Sequence, residues 1–164
     1  MRYILIILSI IFSSIIFSCS EKEESTTTTS STPDTTVPTV SSTYPSDSAS
    51  SVAPNTSLIV TFSEAMDTTT ITTNASTTTC SGSLQVSSDS FSTCVQMSTS
   101  PSATDSYKTF TLDPDSNLSY NTTYKIKVTT DAKDSAGNAL ASSYTHSSGF
   151  TTSSTPDTTV PTVS

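Results

Sequence analysis

The chain has 164 residues, a net charge of −8, no tryptophan and only three glycines. An acidic surface repels nucleic acids and anionic lipid headgroups, because both present negative phosphates. No phosphate-binding loop or dinucleotide-binding fingerprint occurs in the sequence. Serine and threonine are abundant, and they alternate with Val, Ile, Tyr and Phe in a way that favours strands over helices.

The first nineteen residues have the pattern of an export signal. Arg2 supplies a positive charge, Tyr3 to Phe17 form an apolar run, and small Ser18 precedes Cys19. The run is too short for a comfortable membrane span, so residues 1–18 are interpreted as a cleaved signal peptide. The sequence Ile-Phe-Ser-Cys that ends at Cys19 resembles a bacterial lipobox, which implies lipid transfer to the Cys19 thiol. An ordinary cleavage site in a soluble secreted protein is the alternative.

Cleavage after Ser18 would remove Arg2, the only charged residue of the segment, and bring the net charge to −9. Membrane attachment would then depend on acyl chains at Cys19, each buried methylene contributing about 0.8 kcal/mol. Residues 19–36 follow as a Ser/Thr-rich tether that has little to bury and is predicted to be disordered. These features predict a lipoprotein anchored in the bacterial cell envelope, at the outer membrane or cell surface.

The segment from 37 to 152 is predicted to form an all-β domain. Apolar residues alternate with polar ones, most clearly where Tyr124, Ile126 and Val128 share one face of a strand. The predicted strands cover residues 37–44, 58–62, 83–88, 94–98, 108–112, 124–129 and 144–152. Turn-forming Pro, Asp, Asn and Gly separate these runs. About seven short strands at this spacing predict an antiparallel β-sandwich.

An exact internal repeat divides the chain further. Residues 31–41 recur without a change as residues 154–164. A repeat of this kind indicates a modular array. Residues 153–164 are therefore interpreted as a linker and the first strand of a truncated second repeat, expected to be disordered on a monomeric domain.

Several segments together resemble the bacterial Ig-like domain of the S-layer type, which is found on surface proteins. The segments that carry the resemblance are 34–40, 52–55, 59–67, 118–128 and 131–140. The resemblance implies an Ig-like sandwich in which the part between Cys80 and Cys94 is an elaboration. Tyr124 resembles the tyrosine corner of such folds, with a buried ring and a hydroxyl that caps the backbone. Met66 is expected to pack on the core, and residues 134–138 to form a tight turn.

Cys80 and Cys94 are predicted to form a disulfide. Disulfides persist in exported proteins, and the closed loop of fifteen residues corresponds to about 3 kcal/mol of chain entropy. The bridge would staple a hairpin in the elaboration. A metal site is disfavoured, since only these two thiols and one distant histidine are present.

Catalysis is not predicted. His146 is the only histidine, it is expected to be exposed on a strand, and no Gly-x-Ser-x-Gly motif accompanies it. No cofactor is required by any motif, although calcium remains open. Its candidate ligands lie in two loops that a sandwich could bring to one end, and they are Glu64, Asp67, Asp131, Asp134 and Asn138. The favoured alternative is that these residues only form solvated turns.

The sequence therefore predicts a surface-anchored lipoprotein with a non-catalytic structural, presentation or interaction domain. Its partners would be the membrane, through the lipid, and a protein ligand if one exists, but not nucleic acid. The alternatives are an adhesin that binds a host or matrix protein, and a spacer for a functional domain missing from this chain.

Overall fold

A computed structural model describes residues 32–155 of the chain. Within this range the protein forms eight strands and no α-helix: β1 (Val40–Tyr44), β2 (Leu58–Phe62), β3 (Leu84–Ser87), β4 (Ser102–Thr104), β5 (Thr109–Leu112), β6 (Thr123–Val128), β7 (Tyr144–Thr145) and β8 (Phe150–Thr151). No helix that could cross a membrane is found in the described part. The predicted signal peptide, Cys19, most of the tether and the repeated tail from residue 156 lie outside it.

The strands form two antiparallel sheets, which confirms the predicted all-β fold. The order in the first sheet is β1-β2-β5-β4 and in the second β3-β6-β7, with β8 pairing beside β7 on β6. The register of β2 on β5 places Val60 opposite Phe110 and Leu58 opposite Leu112. The side chains of these four residues are buried, as the period-two pattern of a half-buried strand requires.

The core lies between the two sheets. Phe62 and Phe110 meet edge to face with ring centroids 5.9 Å apart, and Tyr124 stacks on Phe150 at 5.8 Å. Both geometries are favourable for aromatic pairs. Other buried residues of the same cluster are Leu58, Val60, Leu84, Val86, Met97, Leu112, Ile126, Val128 and Leu140.

Two predicted core anchors are confirmed. The hydroxyl of Tyr124 accepts a hydrogen bond of 3.0 Å from the backbone N–H of Ser119, while the tyrosine is only 5% exposed. This is the expected tyrosine-corner arrangement. Met66 is 1% exposed and packs on the core. The two residues fix the connections next to β6 and β2.

The Cys80–Cys94 disulfide is present. The stapled segment contains β3 and folds back on itself, since the N–H of Val95 donates to the carbonyl of Val86 at 2.8 Å. β3 itself pairs with β6, from Leu84 opposite Val128 to Ser87 opposite Lys125. The disulfide therefore closes an elaboration that supplies an edge strand of the second sheet.

Two predicted strands differ in the structure, and one observed strand was not predicted. Residues 94–98 form no strand, because their backbone groups bond to separate partners, among them Asn74 and Val86, and only Met97 forms an isolated bridge, with Pro114. β4, with the sequence Ser-Ala-Thr, was not predicted, since it carries no apolar alternation. The predicted strand 144–152 is two short strands, β7 and β8, separated by a turn at residues 147–149 that Asp47 holds.

The chain enters and leaves the domain at opposite ends of its strands. At one end the side chain of Asn138, which follows β6, donates to the carbonyl of Asp34 at 3.1 Å. At the other end Ser153 is held beside the start of β6, because its carbonyl accepts from Asn121 and its N–H donates to Val52. We call the first the acidic end, for the carboxylates described below, and the second the distal end.

Candidate functional site

The loop that follows β6 builds the floor of a carboxylate cluster at the acidic end. Asp134 accepts hydrogen bonds from the backbone N–H groups of Ala136 at 2.9 Å and Asn138 at 2.7 Å, and from the Asn138 side chain at 2.8 Å. Gly137 has a φ of +96°, which glycine adopts without strain. These bonds confirm the predicted Asx-type turn. They also hold the Asp134 carboxylate in place, with Asp134 only 1% exposed.

Two further carboxylates meet Asp134. Asp34 precedes β1 and Glu64 follows β2, so antiparallel pairing of these strands brings both to one end. Oxygen atoms of Asp34, Glu64 and Asp134 all lie within 4.8 Å of one another. One oxygen of Glu64, Oε1, is buried and has no hydrogen-bond partner. The cluster thus gathers three acidic groups around an unsatisfied oxygen.

The two inner carboxyl groups are driven toward different protonation states. Burial raises the pKa of Glu64, and the negative charges of Asp134 and Asp34 raise it further, while Lys108 opposes them. Burial also acts to raise the pKa of Asp134, but the hydrogen bonds from Asn138 and the loop backbone outweigh it, so that pKa is lowered. Asp134 therefore holds the charge, and Glu64 is the group that takes a proton first.

The structure brings together three of the five predicted calcium ligands, Glu64, Asp134 and Asn138. It adds Asp34, which the sequence prediction missed although its place before β1, opposite the end of β2, could have indicated it. Asp67 accepts instead from the Thr69 N–H and hydroxyl, and Asp131 from the Thr129 hydroxyl. Neither Asp67 nor Asp131 belongs to the carboxylate group that is close enough to share an ion.

A hard cation is the only metal that this donor set suits. Calcium takes six to eight oxygen ligands, and carboxylates with backbone and amide carbonyls are its usual donors in proteins. Asp34, Glu64 and Asp134 would supply the carboxylates, although the Asp134 oxygens already accept the bonds of the loop. Calcium binding stays a prediction.

A cleft of about 340 Å³ lies at the same end of the domain. It is lined by Met66, Asp67, Thr68, Tyr107 and Ser135. Tyr107 is 57% exposed and follows Asp105 and Ser106, and all three have φ values between +51° and +65°. Consecutive non-glycine residues with positive φ values raise the conformational energy of the backbone. Such backbone strain often occurs at binding sites.

His146 does not lie where the sequence predicted. It was expected to be exposed on a strand, but it is 1% exposed. Its ring meets those of Tyr144 at 6.0 Å and Phe150 at 6.4 Å, both edge to face. Its Nε2 is 2.8 Å from the Thr43 hydroxyl, and its Nδ1 is 4.0 Å from the Asp47 carboxylate. The second distance is too long for a hydrogen bond, so these residues do not form a catalytic triad.

Two antiparallel sheets around one core, a tyrosine corner and a stapled edge define an Ig-like sandwich domain. The chain belongs to the bacterial Ig-like domain family, whose sequence model matches residues 34–152. This confirms the family predicted from the sequence segments.

Similar solved structures come from S-layer proteins. "Crystal structure of the S-layer protein rSbsC(31-844)" has 22% sequence identity and a TM-score of 0.48, and the match covers 72% of this chain and 14% of that chain. "Structure of surface layer protein SbsC, domains 1-6" has 21% identity and a TM-score of 0.49, and the match covers 73% of this chain and 14% of that chain. "Crystal structure of the N-terminal part of the bacterial S-layer protein SbsC" has 21% identity and a TM-score of 0.49, and the match covers 72% of this chain and 24% of that chain. The present chain thus spans a quarter or less of each. No curated protein gives a match.

Proposed function

We propose that the chain is an exported surface lipoprotein whose Ig-like domain is a non-catalytic structural module. The observation that carries the proposal is the placement of the two chain ends. Asp34 is bound at the acidic end, and Ser153 at the distal end. A domain with its connections at opposite ends extends a chain in series, as a spacer or array module does.

The exact repeat supports the same reading. Residues 154–164 repeat 31–41, so Asp157 has the same local sequence as Asp34. Only three residues separate Ser153, the last residue held at the distal end, from Asp157. A following module that bound its own Asp157 in the same way would be joined to this domain by a very short linker. Short linkers favour rigid arrays over domains that move independently.

The anchor is supported by sequence. The apolar run before Ser18 and the resemblance of residues 16–19 to a lipobox support acylation of Cys19. Residues 20–32 carry no large apolar side chain, which suits an extended spacer between lipid and domain. In this arrangement the tether joins the domain at its acidic end, because Asp34 is bound there.

Metabolic labelling with a fatty acid tests the anchor. The wild-type chain should incorporate label and stay with the membrane fraction, while Cys19→Ala should do neither. A double variant, Cys80→Ser with Cys94→Ser, is the matched control, because it removes the other two cysteines and should keep the label. Label that persists in Cys19→Ala would contradict the proposal.

The domain is proposed to be monomeric, with residues 154–164 adding nothing to its stability. Deleting them should leave both the melting temperature and the elution volume unchanged. A change of elution volume from oligomer to monomer would show that the repeated segment pairs with a second copy, as strand exchange does.

Adhesion to a protein ligand is a second candidate, favoured by the strained and exposed loop at Tyr107. The exposed tyrosines do not form one patch, however. Tyr107 borders the cleft at the acidic end, while Tyr44 pairs opposite Ile59 near the start of β2, and Tyr120 lies beside the start of β6 at the distal end. Binding of the purified protein to matrix-coated surfaces, compared with Tyr107→Ala, tests this function. A loss of binding in the variant would favour adhesion over a spacer role.

A further inference from the structure

A side-chain bridge joins the edges of the two sheets. β1 is an edge strand of the first sheet, and β7 is an edge strand of the second. His146 directly follows β7 and continues its pairing, because its N–H donates to the carbonyl of Ile126 at 3.0 Å. Its Nε2 lies 2.8 Å from the hydroxyl of Thr43 in β1. This contact joins residues 103 positions apart and closes one open side of the sandwich.

The other ring nitrogen of His146 has no hydrogen-bond partner. Nδ1 is buried, and the nearest carboxylate oxygen, from Asp47, is 4.0 Å away. Within the described residues two charged groups act on the ring, Asp47 from the β1–β2 connection and Lys125 from β6. The rings of Tyr144 and Phe150 pack against the imidazole edge to face. The imidazole is therefore held in a mainly apolar site.

Asp47 cannot move freely to meet this nitrogen. Its carboxylate accepts from the N–H and the hydroxyl of Ser147 at 3.0 and 2.6 Å, from the N–H of Ser148 at 3.1 Å and from that of Gly149 at 2.6 Å. These bonds hold the turn between β7 and β8. A shift of Asp47 toward His146 would break several of them, so a second proton on the ring would be poorly compensated.

We propose that the Thr43–His146 bridge, which we call the edge clasp, is an acid-sensitive switch that closes when the imidazole is neutral and loosens β1 when the imidazole is protonated. In the neutral state Nε2 is hydrogen-bonded to Thr43, and Nδ1 lies without a partner in a mainly apolar site but carries no charge. A second proton places a positive charge in that site, at 4.0 Å from a carboxylate that is already engaged. The clasp therefore controls how firmly the domain holds its first strand.

The pKa of His146 shifts in the direction that favours the neutral ring in the folded protein. Burial lowers the pKa of His146 below its ordinary value of 6.5, Asp47 opposes the shift without reversing it, and Lys125 adds to it. A lowered pKa in the folded state means that folding favours the neutral ring. The contribution of His146 to stability is therefore complete above pH 6.5 and is lost progressively as the pH falls below that value.

The first test is direct, because the chain has a single histidine. The ring signals of His146 in the full-length protein, labelled at histidine, are followed by NMR between pH 8 and 4.5, with and without denaturing urea. The titration midpoint should be lower in the folded protein than in urea. A folded midpoint equal to or above that in urea would show that Asp47 compensates the charge, and would overturn the proposal.

The second test measures β1 itself. Amide hydrogen exchange of residues 40–44 is compared with that of 109–112 in β5, so that the intrinsic pH dependence cancels. The ratio of the two rates should rise several-fold between pH 7.5 and 5 in the wild type, and should not change over this range in His146→Gln. An unchanged ratio in the wild type would refute the switch, and if the Gln variant does not fold, the wild-type ratio and the NMR midpoint still decide.

A third variant separates the clasp from the ring charge. Thr43→Val removes the hydroxyl that meets His146 but keeps the shape of the side chain, and it should speed exchange in β1 already at pH 7.5. The matched control is Thr61→Val, which removes a hydroxyl that contacts Thr109 within the same sheet at 3.4 Å. Equal exchange in β1 of the Thr43 and Thr61 variants would mean that the clasp does not hold the strand.

Discussion

The carboxylates of Glu64 and Asp134 meet at one end of the sandwich although they follow strands of different sheets. Glu64 comes after β2 and Asp134 after β6, and the bridge between Met66 and Asp134 ties the two loops together. The N–H of Ser135 adds a hydrogen bond of 3.0 Å to the carbonyl of Ala65. The loops must stay close to join the sheets, so the like charges they carry are held together by the backbone.

Replacing Glu64 by Gln should therefore stabilise the domain at neutral pH. The pKa of Glu64 is raised in the folded state, so folding favours its protonated form, and the stability this provides is lost as the pH rises through that pKa. Glutamine imitates the neutral form at every pH. The gain should be below about 1 kcal/mol, because Glu64 is only partly buried and solvent screens the repulsion. It should be seen in urea melts at pH 7 and should vanish in acid.

Asp67→Asn is the matched control for the Glu64 variant, and it should have the opposite sign. The hydroxyl and N–H of Thr69 lower the pKa of Asp67, so its charged form is the favoured one.

The same urea melts repeated with calcium chloride test whether the carboxylate cluster binds calcium. A rise in stability that the wild type shows and Glu64→Gln loses would demonstrate binding, and the absence of a rise in the wild type would leave the carboxylates as solvated turn residues.

The disulfide should contribute substantially to stability. Replacing both Cys80 and Cys94 by Ser opens a closed loop with a sequence separation of 14, and loops of this size correspond to about 3 kcal/mol. Comparison of the urea midpoints of the Cys80→Ser/Cys94→Ser protein and the wild type measures the loss. Reductant should shift the wild type toward the double variant and leave the variant itself unchanged. A wild-type midpoint that reductant does not move would mean that β3 is held by its pairing with β6 alone.

Asp89 should make the stapled segment sensitive to strong acid. The hydroxyl and N–H of Thr93, together with the Ser87 hydroxyl, lower the pKa of Asp89 from 3.8 to about 2. Because this pKa is lowered in the folded state, the stability it provides is present above pH 3.8 and is lost as the pH falls toward 2. Asp89→Asn should be less stable than the wild type at pH 7, and the difference should disappear near pH 2. A constant difference over this range in thermal melts would contradict the assignment.

The parts of the fold that the sequence predicted are those with strong alternation. β2 and β6 were found because Leu58 to Phe62 and Tyr124 to Val128 place every second side chain in the core. β4 is short and mostly polar, and its pairing with β5 cannot be recognised from a local sequence pattern. The segment 94–98 has the composition of a strand, but its backbone groups bond to several separate residues, including Asn74 and Val86, and not to one partner strand.

The carboxylate cluster and the surroundings of His146 could be predicted only in part, because they depend on contacts between residues far apart in the sequence. Loop composition indicated Glu64, Asp134 and Asn138, because acidic and amide residues cluster in two turns. It could not show that Asp67 and Asp131 accept hydrogen bonds from Thr69 and Thr129 and lie outside the carboxylate cluster. The burial of His146 depends on Thr43 and on aromatic rings packed around it, contacts that the alternation of β7 does not encode.

The last prediction concerns the hydroxyl of Tyr124. Tyr124→Phe keeps the ring that stacks on Phe150 but removes the acceptor for the Ser119 N–H. Losing one such bond costs about 1 kcal/mol, since water can partly replace it next to the exposed Ser119. For a domain of this size the melting temperature should fall by roughly 4 °C. Tyr107→Phe, which removes the hydroxyl of an exposed tyrosine, is the control and should change it by less than about 1 °C. Equal melting temperatures of Tyr124→Phe and the wild type would show that the corner depends on the packing of the ring and not on its hydrogen bond.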